Sequence, residues 1–227
     1  MVKMNLEEVR TQTADINSYC RDLRAGADNL NSVALAIGLE IGISGKTGDS
    51  IKSYLSSIYP ALAKAMILYA DSIEEANKAY VDGYVSMCGG KSLDSEVLEK
   101  QITSYNTSIQ RLELSKSSQE RWYRDQDIAT KGAIRGEYQE YMNSLNSSIA
   151  TNEKERGKLQ EKLEKLLTFN GQSPAYFSIV EETKNLMNEG LSLLGGDVSS
   201  GKIGTGSWNG QGFTKIETNW QKRVYET

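Results

Sequence analysis

The stretch "IGLEIGISGKTGDSIKSYL", residues 37–55, joins two long segments in which apolar residues recur at helical spacing. Its Gly45-Lys46-Thr47 triplet resembles the end of a phosphate-binding loop. Such a loop also needs a preceding strand and a glycine at position 40, where Glu40 would instead repel the phosphates. The triplet therefore indicates a turn between two helices, in which Gly45 supplies a positive φ angle.

Both flanking segments carry an apolar seam with alternating steps of three and four residues, which predicts amphipathic helices over 6–37 and 51–87. The first helix, at about 1.5 Å per residue, would be about 50 Å long. A helix so polar outside its seam needs a partner along its length. We predict that the two helices form an antiparallel hairpin and that its apolar seam binds partner proteins. The residues that chiefly form this seam are Leu6, Val9, Ile16, Leu23, Leu30, Ile51, Leu55, Ile58, Leu62 and Tyr69.

The remaining sequence predicts further helices over about 93–130, from about 134 to 170, and over 174–194. We expect a turn near Gly132 and Gly136, a cap at Ser92 or Asp94, and another cap at Asp49 or Ser50. A Gly/Ser-rich stretch typical of a linker follows residue 194, and the last residues favour a short amphipathic helix or a strand. No strand is predicted elsewhere.

The predicted fold is thus all-α, an elongated helical bundle or coiled coil that begins with the long hairpin. We expect a partner-binding hairpin over residues 1–90, further long helices over 91–194, and a linker with a C-terminal segment over 195–227.

Composition narrows the functional class. The chain has 227 residues, a formal net charge of −4 and no histidine. Charge is mixed without a basic block, which argues against nucleic-acid binding. Histidine is the commonest general base and the commonest zinc ligand, and because it is absent we expect no enzyme activity, cofactor or metal. The predicted hairpin places Cys20 and Cys88 too far apart for a disulfide, and both are expected to be free thiols.

Tyr123 and Asp127 form a Tyr-x-x-x-Asp pair, the pattern of an export signal in some helical secretion substrates. Tyrosines and acidic residues are frequent enough here for such a pair to arise by chance. The competing interpretation is a solvated pair four residues apart on one helix. Trp208-Asn209-Gly210 matches Trp-x-Gly, which carries little weight in a Gly-rich region.

The segment "ISGKTGDSIKSYLSSIYPALAKAMILYADSIEEANKAY", between two long N-terminal helices, resembles the LXG domain of type VII secretion toxins of Gram-positive bacteria. The resemblance covers about residues 5–90. Ile43 and Gly45 stand at the hairpin turn where Leu-x-Gly is usual, so isoleucine replaces the leucine.

The resemblance implies a module that targets a toxin for export. Its expected partners are small helical WXG100-like proteins, the type VII secretion machinery and a toxin domain C-terminal to this chain. It implies secretion from the cytoplasm by a route independent of a signal peptide, and "MVKMNLEEVR" has no apolar signal core. Two alternatives remain open. The first is a pore-forming α-helical toxin that uses residues 33–43, and the second is a structural coiled-coil protein.

Overall fold

The computed structural model describes residues 1–194 and 215–227 of the chain. These residues confirm the all-α class, because their only sheet is a pair of two-residue strands. The elements, in chain order, are β1 (Lys3–Met4), α1 (Leu6–Leu39), α2 (Gly45–Tyr84), a π-helical turn (Val85–Gly89), β2 (Leu93–Asp94), α3 (Ser95–Asp125), α4 (Ile128–Gln172), a 3-10 turn (Ser173–Phe177), α5 (Ser178–Leu193) and α6 (Lys215–Glu226).

The chain divides into two compact units, each made of two separate segments. The first unit comprises Met1–Leu6 and Tyr84–Gly171, and the second comprises Glu7–Gly83 and Gln172–Thr227. These boundaries differ from the predicted divisions at residues 90 and 194. The difference arises because α5 and α6 pack on α2, although they follow α3 and α4 in the sequence.

In the first unit, the N-terminal residues are tied to the start of α3. β1 pairs with β2 in antiparallel register, with Lys3 opposite Asp94. The Val2 backbone N–H donates to the Ser95 hydroxyl at 2.9 Å, and the Ser95 N–H donates to the Val2 carbonyl at 2.8 Å. The prediction of no strands is wrong here, since two-residue strands are too short to show an alternating pattern.

The turn into α3 follows the sequence signals closely. Gly89 and Gly90 adopt positive φ angles of 75° and 44° and end the preceding helical segment. The Asp94 side chain accepts hydrogen bonds from the backbone N–H groups of Glu96 and Val97, which confirms its predicted role as the cap. The ring of Tyr84 is fully buried and packs edge-on against Phe169 with centroids 5.2 Å apart.

The chain reverses between α3 and α4 at Gln126 and Asp127. The predicted turn at Gly132 and Gly136 is therefore wrong, and both glycines lie inside α4. Asp127 accepts hydrogen bonds from the Thr130 N–H at 2.9 Å and from the Thr130 hydroxyl at 2.7 Å. This cap starts α4 early enough to carry the helix through both glycines.

In the second unit, α1 and α2 form the predicted hairpin. Gly45 has the predicted positive φ, 85°, and begins α2. The cap predicted at Asp49 or Ser50 is wrong, because both residues lie within the helix. Pro60 also lies inside α2, which continues to Tyr84, so the proline does not end the helix. Arg24 of α1 donates to Asp71 at 2.8 Å and also pairs with Glu74, which links the two helices side by side.

α5 and α6 complete the second unit by covering α2. The indole N–H of Trp220, a fully buried side chain of α6, donates to the Leu186 carbonyl at 2.8 Å. The ring lies over Gly190 of α5, where an added Cβ would overlap with it. The core cluster here comprises Tyr54, Ile58, Ala61, Leu62, Ala65, Leu186, Met187, Leu194, Trp220 and Val224. The last residues are thus a helix, one of the two predicted possibilities.

The close contact between Gly190 and Trp220 predicts that a larger residue at position 190 destabilises the protein. Gly190→Ala should lower the free energy of unfolding by about 1–3 kcal/mol, because the new methyl group forces the indole away from α5. Gly26→Ala is the matched control. It lies in a helix of the same unit with open space around its Cβ position, and should raise stability by up to about 1 kcal/mol. Urea denaturation followed by circular dichroism measures both, and equal shifts in the two variants would contradict this packing.

Candidate interaction surface

The face of α1 that packs inside the second unit is lined by small side chains. Cys20, Ala27 and Ala34 are buried and stand seven residues apart, so they share one line along the helix. We call these three residues the inner seam. Alanines of α2, including Ala61 and Ala65, are also fully buried. The short side chains of the inner seam allow a neighbouring helix to pack close to the α1 backbone.

The structure distributes the predicted seam residues over different environments. Leu6 is buried in the first unit, and Ile58 and Leu62 are fully buried in the second. The remaining predicted residues are half-buried: Val9, Ile16, Leu23, Leu30, Ile51, Leu55 and Tyr69. The predicted seam is therefore not a single exposed strip.

The chain itself covers most of the α2 part of that seam. Ile58 and Leu62 belong to one cluster with Leu186 of α5 and Trp220 of α6. Leu55 and Tyr69 pack against the same cluster. This part of the hairpin therefore has its hydrophobic cover already, and a partner would find its free apolar surface elsewhere.

That surface lies on α1, next to the inner seam. Side chains at alternating steps of four and three residues form a second line, which we call the outer seam: Tyr19, Leu23, Gly26, Leu30, Val33 and Ile37. Tyr19 and Val33 are 56% and 58% exposed, and Gly26 is exposed with nothing within 4 Å of its Cβ position. Leu23, Leu30 and Ile37 are half-buried. The apolar face of α1 is therefore wider than the part that the chain buries.

The outer seam was not among the predicted site residues as such. Leu23 and Leu30 were predicted, but Tyr19, Gly26 and Val33 were not. The signal was present in the sequence, because the predicted seam and the outer seam share Leu23 and Leu30. Which line faces the core is decided by the helices packed against α1, and α1 alone does not fix this.

The residues next to the outer seam are packed against α2, α5 and α6. Leu30 packs against the core cluster formed by α2, α5 and α6. Burial raises the pKa of the Tyr69 phenol, and electrostatic interactions with Tyr19, Cys20 and Glu181 raise it further. A buried hydrogen bond of 2.7 Å between the Ser72 and Thr183 hydroxyl groups ties α2 to α5 nearby. The outer seam therefore lies beside α2 and α5, which are packed and hydrogen-bonded to each other.

The end of the hairpin carries further exposed apolar residues. Leu35, Leu39 and Ile41 are 47%, 82% and 90% exposed. Ile43, predicted as part of the turn motif, is half-buried, and its side chain lies against the buried Gly48. A Cβ at Gly48 would come within 3.1 Å of the Ile43 side chain. Ile43 and Gly45 thus help shape the turn.

The Tyr123–Asp127 pair lies at the turn between α3 and α4. Tyr123 is in α3, whereas Asp127 lies beyond its end and caps α4. The two side chains are therefore not a pair on one helix, which corrects the interpretation favoured from the residues. Hydrogen bonds from Thr130 hold the pKa of the Asp127 carboxyl below its ordinary value. Asp127 has a structural role, and its role in export remains a prediction.

The described residues also bear on metal binding, membrane insertion and nucleotide binding. No group of three potential metal ligands is present in residues 1–194 and 215–227. In the same ranges, no helix combines the length and apolar character needed to span a bilayer. Lys46 is exposed in the first turn of α2, and a helix precedes the triplet. A second partial match to the phosphate-loop pattern, Gly196 to Gly201-Lys202, has Ile203 in place of the required Ser or Thr. This stretch and the Trp208-Asn209-Gly210 motif lie outside the described residues.

Comparison with known proteins adds no assignment. No family model, curated protein or solved structure matches the chain.

Both cysteines are free thiols, as predicted. Burial raises the pKa of each, and Arg24 only partly offsets this at Cys20. Protonated thiols are weak nucleophiles, so both should react slowly near neutral pH. Cys20 is fully buried and Cys88 is half-buried, so iodoacetamide should modify Cys88 first. Mass spectrometry of timed samples measures the order, and faster labelling of Cys20 would contradict the packing of α1.

Proposed function

We propose that this chain is a targeting and interaction module that binds a small helical partner protein along the outer seam of α1. The observation that carries the proposal is the apolar heptad line that the chain covers only in part: Tyr19 and Val33 are more than half exposed, and Leu23, Leu30 and Ile37 are half-buried. Isolated exposed apolar residues are ordinary in soluble proteins. A regular line of them on one helix is the pattern that another helix can bury.

The dimensions fit a helical partner. From Tyr19 to Ile37 the seam runs for about 27 Å at about 1.5 Å per residue. An α-helix of about five turns would cover it. Gly26, in the middle, allows the partner backbone to come close, and open space surrounds it. The partner would join α1, α2 and α5 in a four-helix arrangement.

Charge narrows the choice of partner. Asp15 and Asp22 are exposed, and they flank Tyr19 at distances of four and three residues along α1. A partner helix with Lys or Arg beside its apolar stripe would therefore suit this edge. These charges would guide orientation more than affinity.

The proposal of export rests on the resemblance to LXG domains of type VII secretion toxins. The hairpin with Gly45 at its turn supports that resemblance. On this proposal, the partners are WXG100-like proteins and the type VII machinery, and the chain is secreted to deliver a toxin domain. The module itself binds and has no catalytic role.

Co-expression with the small helical proteins encoded beside the gene, followed by co-purification, tests partner binding. Gly26→Arg should abolish or strongly reduce recovery of the partner, because it places a bulky charge in the seam. It should leave the free chain folded, since its Cβ position meets nothing. Ala25→Arg is the matched control, with the same charge on the neighbouring exposed residue but outside the seam.

Equal recovery with both variants would contradict binding along the outer seam. Leu23→Asp with Leu30→Asp is a less suitable test, because Leu30 packs against the core cluster and its loss would also disturb folding.

Light scattering of the free chain identifies one alternative occupant of the outer seam, a second copy of the chain. A dimer lost in Gly26→Arg but kept in Ala25→Arg would show that a second copy covers the seam, as in a structural coiled coil.

Export is tested separately from binding. Tagged chain produced in a Gram-positive host with a type VII apparatus should reach the culture medium, and deletion of the secretion ATPase should retain it in the cells. Partner binding without export would overturn the secretion part of the proposal alone.

A further inference from the structure

A groove in the first unit lies beside the turn between α3 and α4. It has a volume of about 190 Å³. Gln119 and Trp122 of α3 line one side. Ile134, Glu137, Tyr138 and Tyr141, spaced along one face of α4, line the other. Three aromatic side chains thus surround one small space.

The two tyrosine rings of the groove make contacts with residues outside it. Tyr138 stacks on Tyr123 with ring centroids 3.9 Å apart and planes 9° from parallel. The Tyr141 hydroxyl lies 3.3 Å from the Ser115 hydroxyl, within hydrogen-bond distance. Trp122 and Tyr141 nevertheless remain 48% and 44% exposed. The groove is therefore preformed, while its aromatic surfaces stay open to a ligand.

The charge of the groove is negative. Glu137 is the one charged residue among the described lining residues, and it is exposed. Its carboxylate forms no ion pair within the described part of the chain. Near the turn, Lys131 donates to the Arg124 carbonyl at 2.7 Å, and Arg121 donates to the Ser117 carbonyl. The groove has no internal cation.

We propose that this groove binds an organic cation of side-chain size, either a guanidinium or a quaternary ammonium group. Aromatic faces carry negative electrostatic potential and attract cations, and Trp and Tyr do so best. The Glu137 carboxylate adds a full charge at the rim. A neutral ligand of equal shape gains only the apolar contact, and an anion meets repulsion. The cation can come from a free small molecule or from an arginine side chain of a bound protein segment.

This site is independent of the outer seam, since it is built from α3 and α4 within the first unit. Its affinity for a lone cation should be weak, because the groove is open and water screens Glu137. NMR detects weak binding directly. The full chain has three tryptophans, hence three indole N–H signals, and Trp122→Phe assigns the signal from the groove.

The experiment titrates the full chain with choline and, separately, with N-acetylarginine amide. The matched neutral probes are 3,3-dimethylbutanol and N-acetylcitrulline amide. A cation should shift the Trp122 indole signal with saturation and leave that of the buried Trp220 unchanged. The two cationic arms show which of the two chemistries the groove prefers.

Glu137→Gln should weaken binding about two- to fivefold, the range expected for an exposed charge pair. Glu140→Gln is the matched control, because Glu140 is exposed on the same helix but does not line the groove. Tyr141→Leu should weaken binding about two- to fivefold through loss of an exposed aromatic face. Neutral probes that shift Trp122 as strongly as the cations, equal effects of Glu137→Gln and Glu140→Gln, or no saturable shift would each overturn the proposal.

Discussion

Three small side chains on α1 set the geometry on which the second unit depends. Cys20, Ala27 and Ala34 recur every seven residues and are buried. Since they are short, α2 can pack closely along α1, and the larger residues of α1 are displaced to the side of this contact. Leu23, Leu30 and Ile37 are then only half-buried, and Tyr19 and Val33 project into solvent. The close inner contact and the uncovered outer seam therefore have the same cause.

α5 and α6 cover the apolar side of α2, so that this side stabilises the fold and is not available to a partner. Trp220 lies over Gly190 and donates its indole N–H to Leu186, which fixes α6 on the second unit without leaving a buried donor unpaired. Ile58 and Leu62 are sealed by this arrangement. The hairpin thus uses its α2 side for internal stability and retains one side of α1 for the proposed partner.

Local signals in the sequence predicted part of the local structure. Gly45 has the positive φ that its place in the turn requires, and Asp94 caps α3. Predictions that depended on residues distant in sequence went further astray. The Lys3–Met4 strand needs β2 about 90 residues away, and α6 finds its place on α2 across most of the chain. The turn at Asp127 was missed because two glycines nearby suggested a stronger break.

The same distinction governs the candidate site. Heptad periodicity located the apolar face of α1 but could not divide it into a buried and an exposed line, because the helices packed against α1 decide that division. The most direct test is the accessibility of Val33. In a chain with Cys20 and Cys88 changed to alanine, Val33→Cys should be alkylated rapidly in the free protein and slowly in the co-purified complex. Slow labelling of the free monomer, or an unchanged rate in the complex, would contradict an outer seam that awaits a partner helix.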